Sequence, residues 1–273
     1  MGRYLGIDVG TTSLKAAVFD ENGVRLGLEK VDYTLDTDAS NGFIEFDATK
    51  YIDMCRDVIA RLSEKCGKID ALSVDTQGET LILTDENGAP LCPAIVWLDN
   101  RATKEAEEIE KHFGHKKVYD ITGQPEIIAT WPASQLLWVR ENRPDVFKNT
   151  KKIFMLEDWI IYSLTGEFVS EPTIQSSTVY FDITHRTWWG EMLDFIGICK
   201  NQLPRVCKSA EAVGEYNGIK VVTGALDQIA GTIGVGVTDE SCVSEMTGTI
   251  MAVCVACDEI PPYNPKKIGR AHV

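Results

Sequence analysis

Three hydroxyl side chains and a lysine follow an aspartate at the end of the first apolar segment. The stretch is Asp8-Val9-Gly10-Thr11-Thr12-Ser13-Leu14-Lys15. Successive backbone N–H groups in a tight turn form a concavity that binds anions, and glycine lets the backbone approach a ligand closely. The hydroxyl groups add donors, and lysine supplies a point charge that suits phosphate. We therefore predict a phosphate site, with Asp8 placed to hold Mg²⁺ through water; the alternative is an ordinary polar hairpin.

A second carboxylate lies between an apolar strand and a helix rich in small residues, in the segment "TGALDQIAGTIGVG". Asp227 in this segment is well placed to cap the helix, because side-chain oxygens accept hydrogen bonds from the first N–H groups of a helix. The functional interpretation makes Asp227 a general base that accepts a proton from a hydroxyl group. The segment alone leaves both interpretations open.

Two further segments, "DTQGET" and "AIVWLDNR", combine polar side chains with a tryptophan at predicted strand ends. Gln77, Glu79, Trp97 and Asp99 supply hydrogen-bonding groups beside an aromatic face, a combination that suits a sugar or polyol. For Asp99 the alternative is a local ion pair with Arg101 at a helix start.

The elements that position these residues follow from hydrophobic periodicity and turn residues. Strands are predicted at 3–9, 14–20 and 24–33, paired antiparallel because Asn-Gly at 22–23 is a strong hairpin signal. Asp47 and Gly67 are expected to bound the first helix. Further helices are predicted near 101–113, 133–142, 155–164, 189–196 and after Asp227. The alternation of strands and helices predicts a mixed α/β fold.

The bulk composition narrows the class of protein. The chain has 273 residues and a formal net charge of −14, so phosphate backbones and anionic lipid would be repelled, and we expect neither nucleic acid nor membrane as a partner. The eight cysteines follow no disulfide framework. They are predicted to be mostly buried thiols in a reducing cytoplasm.

Four motifs, in this order, resemble those of the FGGY carbohydrate kinases, the family of glycerol kinase and xylulokinase. They are D-x-G-T-T-S-x-[KR]-A at 8–16, Q-x-E-T at 77–80, A-I-V-W-x-D-x-R at 94–101 and G-x-x-D-Q-x-A at 224–230. The resemblance covers about 1–265. It implies the actin-like, ribonuclease-H-like ATPase fold, in which two α/β domains enclose a cleft, and phosphorylation of a sugar or polyol hydroxyl by ATP.

The resemblance also implies roles for single residues. The hairpin at 10–15 would face the ATP phosphates, with Asp8 near Mg²⁺, and Asp227 would be the catalytic base. Sugar-side residues would be Glu79, Trp97 and Gln228, next to Gln77 and Asp99, which the segments themselves suggest. Gly248 and Thr249, in a second Gly-Thr turn, would form the second phosphate hairpin.

The chain departs from the family pattern in two ways. Gly78 stands where glycerol kinases have arginine, and the Met-His pair of xylulokinases is absent, so the sugar stays open. We expect a sugar-binding domain at 1–236, the beginning of a nucleotide domain at 237–267, and an artefactual tail at 268–273. Such a fragment is expected to be inactive alone, with self-association of the full-length form left open. The alternatives are another actin-like ATPase and a non-catalytic sugar sensor.

Overall fold

The computed structural model describes residues 2–247 and 251–265. The strands are β1 (Arg3–Val9), β2 (Ser13–Asp20), β3 (Arg25–Asp32), β4 (Asp36–Asp38), β5 (Phe43–Phe46), β6 (Ala71–Thr76), β7 (Leu81–Thr84), β8 (Ala94–Ile95), β9 (Lys152–Met155), β10 (Val169–Ser170), β11 (Phe181–Asp182), β12 (Thr187–Trp188), β13 (Arg205–Val206), β14 (Ala212–Tyr216), β15 (Ile219–Val222), β16 (Ser244–Thr247) and β17 (Met251–Cys254). The helices are α1 (Ala48–Cys66), α2 (Thr103–Phe113), α3 (His115–Thr122), α4 (Pro132–Asn142), α5 (Pro144–Asn149), α6 (Leu156–Thr165), α7 (Pro172–Gln175), α8 (Gly190–Ile196) and α9 (Asp227–Gly234).

The site is built on a six-stranded mixed sheet of order β14-β15-β6-β1-β2-β3. The first three strands pair antiparallel, as predicted, and Gly23 has the positive φ of 75° that its turn requires. β1, β6 and β15 are parallel. Their carboxyl ends therefore meet at one edge of the sheet, where ligands bind in open α/β sheets.

Helix α1 covers one face of this sheet. Asp47 caps its start by accepting a hydrogen bond of 2.9 Å from the N–H of Thr49, and Gly67 ends it with a φ of 79°. The helix buries Tyr51 and Leu62 in the main core. Both predicted helix boundaries are confirmed.

A second core lies under a five-stranded sheet of order β4-β5-β8-β7-β9. Helices α2, α4 and α8 contribute buried side chains to it. The mixed sheets and their flanking helices confirm the predicted α/β class. Strand β14 and helix α3 were absent from the sequence prediction.

The cysteines correct one expectation. All eight are free, but only Cys55 and Cys207 are buried. Cys242, Cys254 and Cys257 lie near the β16–β17 hairpin, which forms a two-stranded sheet of its own and leaves many side chains exposed. Local apolar composition therefore overestimated burial there. None of the helices in the described part of the chain is long and apolar enough to cross a bilayer.

Candidate active site

The carboxyl ends of β1 and β6 and the start of α9 border one cleft of about 820 Å³. Most of the predicted site residues line it: Asp8, Gly10, Thr11, Thr12, Ser13, Lys15, Gln77, Glu79, Trp97, Asp227 and Gln228. The hydroxyl-rich turn, the second carboxylate and the Trp97 region, which are up to 219 positions apart in the sequence from Asp8 to Asp227, thus share one cavity.

The turn between β1 and β2 is held from two sides. The N–H of Gly10 donates to the carbonyl of Ser13 at 3.1 Å, which closes the turn. The hydroxyl of Tyr33 donates to the carbonyl of Gly10, and the N–H of Tyr33 donates to the carbonyl of Thr12 at 3.1 Å. These bonds fix the turn from behind while its side chains line the cleft.

Four carboxylates, those of Asp8, Asp75, Glu79 and Asp227, share the cleft with Lys15. Burial raises the pKa of Asp8, and Lys15, whose Nζ lies 3.5 Å from Asp8 Oδ2, opposes that shift. Burial, together with the charges of Asp8 and Asp227, raises the pKa of Asp75 to about 8. The cleft therefore concentrates negative charge that a bound cation would relieve.

Asp227 is the first residue of α9. Its Oδ1 accepts a hydrogen bond of 2.7 Å from the N–H of Gln228, one of the first N–H groups of the helix, as the capping interpretation expects. Burial, followed by the charges of Glu79 and Asp8, raises the pKa of Asp227 to about 6. A carboxylate with this pKa is ionised at neutral pH and is a stronger base than an ordinary aspartate.

Gln77 follows β6 and is almost fully buried beside the cleft. Its Nε2 donates to the hydroxyl of Tyr51 at 2.9 Å, and its backbone N–H donates to the carbonyl of Val9 at 2.9 Å. Gln77 therefore ties the start of the "QGET" segment to β1 and α1.

Trp97 connects the predicted sugar side to the predicted phosphate side. Its indole Nε1 donates to Thr11 Oγ1 at 3.0 Å. This hydrogen bond joins the "AIVWLDNR" segment to the β1–β2 turn. No local pattern in the sequence predicts this contact.

Asp99 corrects a prediction, because it does not line the cleft. Its side chain is fully buried and binds Arg101 through two hydrogen bonds of 2.8 and 2.7 Å. Its Oδ2 also accepts the N–H of Ile44 at 2.6 Å. Arg101 in turn pairs with Glu45 and lies over the ring of Phe43. Both Asp99 oxygens are thus occupied, and the ion-pair alternative is correct.

Asp75 is a chemically important lining residue that the sequence analysis did not single out. Ile128, Thr130 and Trp131 line the cleft as well. Met246 and Thr247 of β16 also contribute to the lining. Gly248 and Thr249, predicted to form the second phosphate turn, lie outside the described residues.

The donor chemistry of the cleft fits Mg²⁺. Within residues 2–247 and 251–265, no group of three or more His, Cys, Asp or Glu side chains is arranged as a metal cage. Mg²⁺ does not need one, since it keeps several waters and is usually bound by one or two carboxylates together with substrate phosphates. Asp8 and the adjacent Asp75 supply carboxylate oxygens at the same edge of the sheet as the β1–β2 turn.

Comparison with known proteins identifies the family. The family model described as the N-terminal domain of the FGGY family of carbohydrate kinases matches residues 3–236. A xylulose kinase of Lactococcus lactis is 29% identical over 97% of this chain and 56% of its own length. An autoinducer-2 kinase of Klebsiella pneumoniae is 28% identical over 91% of this chain and 50% of its own length. The chain thus spans about half the length of the curated relatives it matches.

Solved structures give the same result for the fold. A ligand-bound xylulose kinase from Lactobacillus acidophilus superposes with a TM-score of 0.87 at 28% identity, over 93% of this chain and 54% of that one. A xylulose kinase from Rhodospirillum rubrum reaches a TM-score of 0.90 at 22% identity, over 97% and 57%. These neighbours confirm the predicted actin-like ATPase fold.

Proposed function

Because the chain belongs to the FGGY family of carbohydrate kinases, we propose that it contributes the sugar side of an ATP-dependent phosphoryl transfer to a hydroxyl group of a sugar or polyol. The observation that carries the proposal is the shared cleft, which brings a basic carboxylate and a hydroxyl-rich turn into one cavity. Phosphoryl transfer depends mostly on positioning and charge stabilisation, which such a cavity supplies.

Asp227 is the proposed general base. Its pKa of about 6 leaves it ionised at neutral pH, so it can accept the proton of the attacking hydroxyl as the oxygen bonds to the γ-phosphorus. The phosphoryl group leaves ADP in the same step, and the proton stays on Asp227 until it is lost to solvent. General bases of this kind contribute about 10²–10⁴-fold to the rate.

Residues of the first turn are proposed to receive the phosphates: Gly10, Thr11, Thr12, Ser13 and Lys15. Backbone N–H groups and hydroxyls would bind the oxygens, and the Lys15 ammonium would offset part of their charge. Asp8 would hold Mg²⁺, which when bound neutralises charge on the phosphates. Gly248 and Thr249 are proposed as the second phosphate turn, on the family resemblance alone.

Gln77, Glu79, Trp97 and Gln228 are proposed for the sugar side. The relatives named above act, by their names, on xylulose and autoinducer-2, and a related structure is a gluconate kinase. Gly78 stands where the glycerol kinase motif has arginine, and this departure supports a substrate other than glycerol.

The domain division and location complete the proposal. We assign residues 1–236 to the sugar-binding domain and 237–267 to the start of the nucleotide domain, where the hairpin of β16 and β17 is packed against α9. The eight free thiols are in keeping with a reducing cytoplasm. Self-association stays a prediction.

The test has two stages. A thermal-shift screen of ketoses, polyols and sugar acids against the 273-residue chain identifies ligands. Sugar-dependent ADP release is then measured with the chain and with an extended version that continues through the family's second domain. Asp227→Asn should keep the thermal shift and abolish ADP release. Sugar binding without ADP release in the extended version would instead establish a non-catalytic sensor.

A further inference from the structure

The short segment that carries Asp227 into the cleft is held by side chains outside the cleft. Only residues 223–226 separate β15 from α9, and they adopt no regular structure that would fix them by itself. Their backbone N–H groups must find partners, because a buried N–H without one costs free energy. Those partners decide where the carboxylate of Asp227 points.

The first partner is Glu157, in the first turn of α6. The N–H of Gly224 donates to Glu157 Oε1 at 2.9 Å. Glu157 is fully buried, and burial together with the charges of Glu171 and Asp158 raises its pKa well above the ordinary value. Its Oε1 is thus a buried acceptor that holds the N–H of Gly224 from outside the cleft.

The second partner is Thr173, in α7. The N–H of Leu226 donates to Thr173 Oγ1 at 2.8 Å, and the same hydroxyl donates to Glu171 Oε1 at 2.6 Å. A hydroxyl has one proton to give, and here it goes to Glu171. The lone pairs of Thr173 Oγ1 are thereby left for Leu226, immediately before Asp227. Glu171 is itself fixed by a bond of 2.6 Å from Ser209 Oγ.

The opposite side of the segment is closed by β6. A Cβ added to Gly224 would lie 1.9 Å from the carbonyl oxygen of Val74, so the backbone passes directly against the strand. Leu226 also forms an isolated parallel bridge with Thr76. The segment is therefore held between the backbone of β6 and the hydrogen-bonding side chains of α6 and α7, with little space to move in either direction.

We propose that Glu157 and Thr173 are positioning residues for Asp227, each holding one backbone N–H of the segment that aims its carboxylate into the cleft. Neither residue lines the cleft. The proposal rests on the proposed function in assigning the base role to Asp227. The physical claim concerns the order of residues 224–227, which can be measured whether or not phosphoryl transfer occurs.

The test uses isotope-labelled 273-residue chain and two matched pairs of variants. Thr173→Val removes the hydroxyl at nearly constant shape, whereas Thr173→Ser keeps it. Glu157→Leu removes the acceptor, whereas Glu157→Gln keeps a carbonyl oxygen that can accept the bond. Hydrogen exchange of the Leu226 and Gly224 amides and the ¹³C titration of the Asp227 carboxyl are recorded by NMR for each protein, with melting curves.

In the wild type both amides should be protected from exchange. Thr173→Val should speed exchange at Leu226 by about tenfold, and Glu157→Leu should do the same at Gly224, since each loses one buried hydrogen bond. In both variants the pKa of Asp227 should fall from about 6 towards the ordinary value of about 3.9 as the carboxylate gains solvent. Thr173→Ser and Glu157→Gln should restore wild-type behaviour.

Two results would overturn the proposal. One is free exchange of both amides in the wild type, which remains decisive even if the Val and Leu variants fail to fold. The other is an Asp227 titration that is the same in each Val or Leu variant as in its Ser or Gln control, whatever the melting temperatures do. Loss of the proposed function would appear separately, as turnover that persists in Asp227→Asn.

Discussion

Asp8 and Asp75 lie directly beside each other on the parallel strands β1 and β6, and both line the cleft. Lys15 stands opposite Asp8 on the other neighbouring strand, β2. One ammonium therefore offsets the charge of two adjacent carboxylates, and the carboxylates of Glu79 and Asp227 line the same cavity. Like charges at this separation disfavour joint ionisation, which is one reason that the pKa of Asp75 rises to about 8, after burial itself.

This arrangement predicts that ionisation of Asp75 lowers the free energy of unfolding at neutral and basic pH. Its folded-state pKa of about 8 lies above the ordinary value of about 3.9. The stability linked to its protonation is thus fully present below about pH 4 and is lost as the pH rises through 8. Asp75→Asn, which stays neutral, should melt above the wild type at pH 8 by about 2–4 °C for each kcal/mol recovered, with the difference shrinking towards pH 4.

Melting curves at several pH values check this. Asp36→Asn, at an exposed aspartate of β4, is the control and should follow the wild type throughout. An Asp75→Asn variant that melts below the wild type at pH 8 would show that the ionised carboxylate is stabilised by an interaction outweighing its burial.

A second prediction concerns the bond between Trp97 and Thr11, 3.0 Å from Nε1 to Oγ1. Trp97→Phe removes the donor and Thr11→Val removes the acceptor. Both changes break the same bond. The double variant should therefore lose less free energy of unfolding than the sum of the two single losses, with a coupling of about 0.5–1.5 kcal/mol. Urea titrations of the four proteins give this value.

Thr12→Val supplies the matched control for that cycle, since the side chain of Thr12 is exposed beside Thr11. Its combination with Trp97→Phe should be additive. A coupling near zero for the Thr11 pair as well would mean that the indole does not hold the turn in solution.

Turn residues and helix-cap residues in the sequence correctly predicted the first hairpin and the ends of α1. Asn22-Gly23 specifies a hairpin because glycine accepts positive φ, and Asp47 and Gly67 specify the ends of α1 through their own hydrogen bonds. Asp227 and the first turn stood out because polar groups at strand ends are unusual in an apolar context. All of these lie within a few residues of the feature that they determine.

Asp75 and Asp99 show what local signals miss. Asp75 matters because β6 pairs with β1 in a register that sets it beside Asp8, and nothing within the "DTQGET" segment states that pairing. Asp99 was assigned to the sugar because it follows Trp97, but Arg101 folds back onto it and buries both. Side-chain direction in a loop depends on tertiary packing, here against Glu45 and Phe43.

The corrected role of Asp99 gives a third prediction. Asp99→Asn leaves the fully buried Arg101 side chain with Glu45 as its one charged partner among the residues that the structure describes. Breaking a buried ion pair from one side costs about 3–5 kcal/mol, so urea unfolding should show a loss of that size. Sugar affinity of the folded variant should be unchanged, because Asp99 does not line the cleft.

Asp32→Asn is the matched control, at an exposed ion pair with Lys30, and should change the free energy of unfolding by less than about 1 kcal/mol. The opposite pattern for Asp99→Asn, weaker sugar binding at full stability, would return this residue to the sugar side.

The fourth prediction concerns the pH dependence of turnover that follows from the raised pKa of Asp227. A base must be ionised, so with a pKa of about 6 the kcat/KM of the extended version should rise through pH 6 and level off above pH 7, and at pH 5 it should be about tenfold below the plateau. Asp227→Asn should lower turnover by about 10²–10⁴-fold and remove the acidic limb. Asp227→Glu, which restores a carboxylate at a shifted position, should recover part of the rate together with that limb.

Because its pKa is raised, ionised Asp227 lowers the free energy of unfolding at neutral and basic pH. Its folded-state pKa exceeds the ordinary value of about 3.9, so the stability linked to its protonation is present below about pH 4 and is lost as the pH rises through 6. Asp227→Asn should therefore melt at a higher temperature than the wild type at pH 8 although its turnover is lost. Such a trade-off between stability and activity is expected where a buried charge serves catalysis. Lower stability of this variant at pH 8, or turnover that falls as the pH rises from 5 to 7, would contradict the assignment of Asp227 as a buried, ionised base.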